Sequence, residues 1–199
     1  MEVSNHIIKT HIYGKNPKDV YVVNFNLGEN QESVVIEDVT LDALGSALGS
    51  RFIPQTEIKQ IIEDLQDIGG VTFTEEEVLH FAKGEVIKAV TSYGSSSEVN
   101  KFSYQGVPLW LDKETRTGLA VRFNAEEIMG KTETKLWAGT VGFAMSITDG
   151  RQMLYAVENY ASQCYDTTAS HKAAVDELKT TDEVVAYNYT VGYPSKLEL

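Results

Sequence analysis

Two hydrophobic periods stand end to end in this chain, and the switch between them at Pro54 limits the folds open to it. Before the switch, apolar residues alternate. In Val20–Leu27 (VYVVNFNL) the side chains of Tyr21, Val23, Phe25 and Leu27 share one face. Ser33–Leu41 (SVVIEDVTL) reads as a further strand, and Ile7, Ile8 and Ile12 mark an earlier one. Turn residues separate them at Gly14-Lys15-Asn16-Pro17 and Gly28-Glu29-Asn30, which predicts an antiparallel meander. Leu41–Ser50 (LDALGSALGS) is punctuated by Gly and Ser, is too short to read as a helix, and ends this small sheet. After the switch, Ile58, Ile61, Ile62, Leu65 and Ile68 recur at helical spacing until Gly69-Gly70 stops them. Strands and helices in separate runs predict an α+β fold.

A second helix is expected after Thr74, where Thr-Glu-Glu-Glu has capping-box spacing, with Val78, Leu79, Ala82, Val86 and Val90 facing inward. Thr91–Asn100 (TSYGSSSEVN) is the most linker-like stretch. Beyond it, Phe102–Asp112 reads as two short strands around Gln105-Gly106, and Lys113–Met129 as a helix with Leu119, Ala120, Phe123 and Ile128 on its apolar side. Glu133–Thr148 has a hairpin pattern. Its second strand puts Val141, Phe143, Met145 and Ile147 on a large face and Thr140, Gly142, Ala144 and Ser146 on a small one. Asp149 is the expected cap of a helix through Cys164, carrying Met153, Val157, Tyr160 and Ala161; another helix follows Asp166-Thr167-Thr168 to about Lys179, and Thr180–Glu183 repeats the capping-box spacing. The domains read as an N-terminal β-rich attachment domain (1–53), a helical stem (54–93), a linker (94–100) and a C-terminal α+β domain with short strands and long helices (101–199).

Charge narrows the partners. The net charge is −12, with seven basic and sixteen acidic side chains in residues 1–100 and ten and thirteen in the rest. No segment offers the positive field that displaces counterions from phosphates, so nucleic acid is not an expected partner. The densest acidic zone, Glu57 to Glu77, reads as a solvated helix face and an acidic helix N-terminus. No stretch approaches the ~20 apolar residues of a membrane span, and Met1–Gly14 lacks the apolar run of a secretory signal. A chain of 199 residues buries roughly 70% of its unfolded surface, so stability needs no metal or disulfide, and the single Cys164 forbids an internal one.

Side chains with chemical potential are scattered. His6, His11, His80 and His171 fall on different elements, and only Glu77 with His80 has ligand-like spacing, whereas a structural zinc needs about four ligands; no metal or cofactor is expected. Cys164 lies on the apolar stripe of its helix and reads as a buried small hydrophobe. Nucleophile-elbow, phosphate-loop and dinucleotide fingerprints are all missing, so no catalytic residue is assigned. Asp112 with Glu114, or Glu126 with Glu127, could serve a hydrolase as paired carboxylates, but acidic chains commonly offer such pairs. Trp110 and Trp137 read as core anchors of strands. Six of ten tyrosines fall in the last 45 residues; Tyr160 belongs to the core side, and Tyr155, Tyr165, Tyr187, Tyr189 and Tyr193 are the candidate interface residues.

From about Phe81 onward the text becomes specific. Val99-Asn100 with Phe102, Trp110-Leu111-Asp112, Arg116, and Thr134 with Leu136-Trp137 occur in order. They are followed by Tyr160-Ala161, Cys164-Tyr165, Thr168, His171-Lys172, Tyr187-Asn188-Tyr189 and Gly192-Tyr193-Pro194. Taken together, residues 81–199 resemble an uncharacterised domain family of bacteriophages and prophages, especially those of Bacteroides-type bacteria. That family commonly ends proteins encoded near tail and fibre genes. Asn188 stands where the family's closing motif leads one to expect Asp, a change that a turn accepts. The resemblance implies a non-enzymatic virion structural protein of tail, baseplate, fibre or head periphery, made in the host cytoplasm. Its partners would be other virion proteins or tail-fibre subunits, with a homo-oligomer compatible with the Ile58–Ile68 stripe. A tail-fibre assembly chaperone is the alternative, and a glycan or cell-wall hydrolase the second.

Overall fold

Alternation in the first forty residues builds a sequential antiparallel sheet, β1 (Glu2–Val3), β2 (Ile7–Ile12), β3 (Lys18–Leu27) and β4 (Asn30–Ile36), in the order β1-β2-β3-β4. The computed structural model describes residues 2–3, 5–13 and 16–199, so the Gly14-Lys15 part of the first expected turn lies outside the described residues. In β3 the expected face is buried at Tyr21, Val23 and Phe25, and the register pairs Val23 with Ile7 and with Val34. Helices α1 (Leu41–Leu48), α2 (Gln55–Gly69), α3 (Glu75–Ser95) and the single turn α4 (Ser97–Asn100) follow. The chain continues through β5 (Phe102–Tyr104), β6 (Val107–Leu109), α5 (Lys113–Ile128), β7 (Glu133–Ala138), β8 (Val141–Ser146), α6 (Ile147–Glu177) and α7 (Thr181–Ala186). The fold is α+β. Among the described residues no helix is long and apolar enough to cross a membrane.

Local chemistry accounts for several departures from the sequence reading. Leu41–Ser50 is a helix after all: Thr40 Oγ1 accepts from Ala43 N–H as its cap, and Leu41, Leu44 and Leu48 bury one side despite Gly45 and Ser46. The cap of α6 is Ser146, whose hydroxyl accepts from Asp149 N–H and donates to the Asp149 carboxylate; Asp149 therefore sits in the first turn. The two helices expected on either side of Asp166 are one. Thr167, Thr168 and Ser170 donate their hydroxyls to the carbonyls of Gln163, Cys164 and Asp166, four residues back, so these polar side chains stay inside the helix without breaking it. Both expected capping boxes form, at Thr74–Glu77 and Thr180–Glu183. The acidic zone is less solvated than its charge suggests, because Glu57 accepts from Asn26 and Asp64 is engaged by His6 and Gln60.

The described chain forms two compact units, residues 1–92 with 171–189, and residues 93–170 with 190–199. This differs from the linear division into 1–53, 54–93, 94–100 and 101–199. Residues 94–100 hold the end of α3 and all of α4, and 171–189 lie in the first unit because Val175 and Val184 complete its core at zero exposure. In that core Ile7, Val23 and Phe25 of the sheet meet Ile58, Ile61 and Leu65 of α2. Glu85 of α3, 2% exposed, accepts from Ile53 N–H and Lys88 Nζ, both at 2.8 Å, and so satisfies a turn amide that packing would otherwise orphan. In the second unit Phe102, Phe123, Phe143, Met145 and Met153 form one cluster, and Val99, Tyr160 and Cys164 a smaller one. Residues 197–199 run parallel to β5, with Ser103 N–H donating to Leu197 and Leu199 N–H to Ser103.

Candidate functional site

In the second unit, the pairing of β7 with β8 decides which side chains face inward. Thr134 opposes Met145 and Leu136 opposes Phe143, so these four turn toward the cluster around Phe123. The alternate residues Lys135 and Trp137 take the outer side, opposite Ala144 and Gly142. Helix α5 contributes Thr115, Leu119 and Arg122, spaced at i, i+4 and i+7 and thus on one face. With Tyr104, Leu109, Leu111, Phe143 and Met153, these surround an apolar cavity of about 250 Å³. Tyr104 holds Phe143 edge-on at 5.4 Å.

Arg122 is fastened at the side of this cavity. Its guanidinium donates to Thr134 Oγ1 and to the Lys135 carbonyl, each at 3.1 Å, and to Glu126 at 3.2 Å. The Thr134 hydroxyl and then Arg122 hold the Glu126 carboxyl below the usual carboxylate range. Such an arrangement keeps one wall polar and fixed while most of the remaining lining is apolar. Ligand pockets for drug-sized molecules run from about 300 to 1,000 Å³, so this one suits an inserted apolar side chain better than a free cofactor.

Large apolar side chains stand exposed around the same unit. Trp137, 63% exposed, carries Lys135 Nζ 4.3 Å above its ring, and Trp110, 54% exposed, lies between the cavity residues Leu109 and Leu111. Both are therefore corrected from core anchors to surface aromatics. In β7 the pleat explains it, giving the inward place to Leu136; Trp110 follows the end of β6, in a segment where Leu109 and Leu111 take the partly buried places. Val121, Ile128 and Met129 of α5 and its end are exposed too, leaving Phe123 as the buried anchor of a helix whose expected stripe had included Ile128. The small face of β8 is open at Gly142 and Ala144. Of the described large apolar side chains that stand exposed, Ile12, Tyr13 and Val35 belong to the first unit and the other ten to the second.

The candidate tyrosines divide. Tyr155 and Tyr165 project from α6 at 70% and 73% exposure. Tyr193 is half-buried, with its hydroxyl 3.0 Å from Thr168 Oγ1 and its ring edge-on to Tyr93. Tyr187 and Tyr189 are half-buried against the core of the first unit, where the Tyr187 hydroxyl meets His171 Nδ1 at 2.8 Å. The five are thus divided between the two units, Tyr187 and Tyr189 in the first and Tyr155, Tyr165 and Tyr193 in the second. Sequence reasoning missed Trp110 and Trp137 as surface residues; their signal was the neighbouring leucines, which compete for the inward positions.

Three of the four carboxylates considered for hydrolysis, Asp112, Glu126 and Glu127, are engaged structurally. Asp112 caps α5 by accepting from Thr115 N–H, which holds it below the usual range. Glu126 pairs with Arg122 and Lys131, and Glu127 with Arg151 at 2.6 Å. Cys164 is buried, and burial pushes its thiol up. His80 is exposed on α3, and among the described residues no group of three or more His, Cys, Asp or Glu is placed to hold a metal ion. Compared with family models, curated proteins and solved structures, the chain finds no match.

Proposed function

We propose that this chain is a structural component of a bacteriophage particle, in its tail, baseplate, fibre or head periphery, acting through protein–protein contact and not through catalysis. The observation that carries the reading is the concentration of exposed large apolar side chains on the second unit, with Trp110 and Trp137 beside an apolar cavity sized for an inserted side chain. Tryptophan and arginine at a desolvatable pocket are the groups that dominate binding energy at protein interfaces. Ten exposed large apolar side chains on one unit, two of them tryptophans, offer surface that contact with another protein would cover. The same residues fall within the stretch that resembles the phage domain family, so chemistry and resemblance point to one part of the chain.

Mass spectrometry of purified particles from a phage encoding the chain tests this. The expected result is stoichiometric abundance beside a tail or head-periphery protein. Trp137→Ala should reduce incorporation by about tenfold or more, since truncating a central aromatic typically costs about 2 kcal/mol of binding. Absence of the chain from intact particles would overturn the reading.

A further inference from the structure

We infer that a broad groove in the first unit, lined by α1 and the first half of α3, docks a cationic segment of a partner protein bearing a bulky apolar side chain. The groove measures about 1080 Å³, several times the cavity of the second unit. Leu41, Phe73, Leu79 and Phe81 supply its apolar lining. Two glycines keep it deep. A Cβ at Gly45 would approach only Phe81, at 3.9 Å, and one at Gly84 would meet nothing within 4 Å. Any larger residue at either place would fill space that the fold leaves open.

Charge identifies the occupant. Four carboxylates, Asp42, Glu76, Glu77 and Glu85, border the groove with Lys83, Lys88 and His80. Both lysines are already committed, Lys83 Nζ to the Asp176 carbonyl and Lys88 Nζ to Glu85. Glu77 is committed to the amide and hydroxyl of Thr74. Asp42 and Glu76 remain, both exposed, in the first turns of α1 and α3, and neither makes a side-chain hydrogen bond or ion pair among the described residues. A groove with an apolar lining and uncommitted negative charge at its border complements a lysine or arginine next to an apolar side chain. An acidic segment would meet the uncommitted Asp42 and Glu76 there, and a neutral one would leave that pair unused.

The test uses the full chain and a short fluorescein-labelled peptide of leucine and lysine, with a leucine–glutamate peptide as control, read by fluorescence anisotropy. Saturable binding of the lysine peptide, weakening as salt rises, is expected, with none of the glutamate peptide. Gly84→Trp fills the groove and should weaken binding about tenfold, whereas Gly84→Ala leaves room and should bind like the unaltered chain. The surface pair Asp42→Asn with Glu76→Gln touches no packing and should also cost about tenfold. Equal binding by Gly84→Trp and Gly84→Ala, no loss in the carboxamide pair, or no saturable binding would each overturn the inference. Because the groove and the aromatic surface lie in different units, Trp137→Ala should leave peptide binding unchanged, which separates this inference from the proposed role in a particle.

Discussion

Tyr160 shows how one buried hydroxyl ties stability to pH. It is 6% exposed and donates to the Val99 carbonyl at 2.7 Å, and burial pushes its pKa up to about 12. An unfolded tyrosine ionises near 10, so between about pH 10 and 12 the unfolded chain loses a proton that the folded one keeps. Stability from this group is complete below the unfolded value and declines as pH rises through that window; Cys164 beside it acts in the same direction. Tyr160→Phe should cost about 1 kcal/mol at neutral pH, because the Val99 carbonyl keeps only the weak Cys164 thiol donor at 4.0 Å, yet melt with a shallower alkaline decline than the unaltered chain. Thermal melts from about pH 8 to 11 read both effects, and parallel alkaline slopes would refute the account. Tyr160 and Cys164 were legible in the sequence because both recur on one helical stripe. Glu85 was not, although it falls on the buried stripe of α3 between Ala82 and Ala89; its reason for being there, the Ile53 amide, is 32 residues away. The tryptophans were misread for a related reason, since hydropathy says that an indole seeks burial but not which of two adjacent residues takes the inward place.

Helix α3 carries two glycines in opposite circumstances. At Gly84 an added Cβ meets nothing, while at Gly94 it would lie 2.4 Å from Thr168 Oγ1 and 2.7 Å from its Cγ2. Helix propensity alone favours alanine over glycine by about 1 kcal/mol at each. Gly84→Ala should therefore raise stability by about that amount, and Gly94→Ala should lower it, because overpacking costs about 1–3 kcal/mol. Adding Thr168→Ala should recover part of the Gly94→Ala loss, and urea denaturation of the three variants measures the signs. A gain at Gly94 would mean that Thr168 moves aside freely. Elements with strong periodicity, such as α2 and β3, were readable because one face of each is wholly apolar. Helix α1 hid behind Gly45 and Ser46, and α6 was split on paper at Asp166-Thr167-Thr168, residues that favour caps and turns when their hydroxyls bond locally. Here those threonines bond backward along the helix instead.

Across the whole chain, the units are interleaved in sequence. The first is built from residues 1–92 and closed by 171–189; the second takes 93–170 and 190–199. Both α3 and α6 contribute residues to each. The change at about residue 93 was visible as a drop in apolar periodicity, but the return of 171–189 was not, since Val175 and Val184 carry no local sign of the core they complete. A fragment of residues 1–92 should lack a cooperative thermal transition by circular dichroism, because it exposes the sites that Val175, Val184 and Leu178 cover. Adding 171–189 on a flexible tether should restore one, and a sharp melt of the shorter fragment would show the closing segment to be dispensable. Genetic shuffling that trades residues 1–92 for another sequence must accordingly move two stretches of coding sequence together, since the segment that seals the first unit is encoded only after residues 93–170.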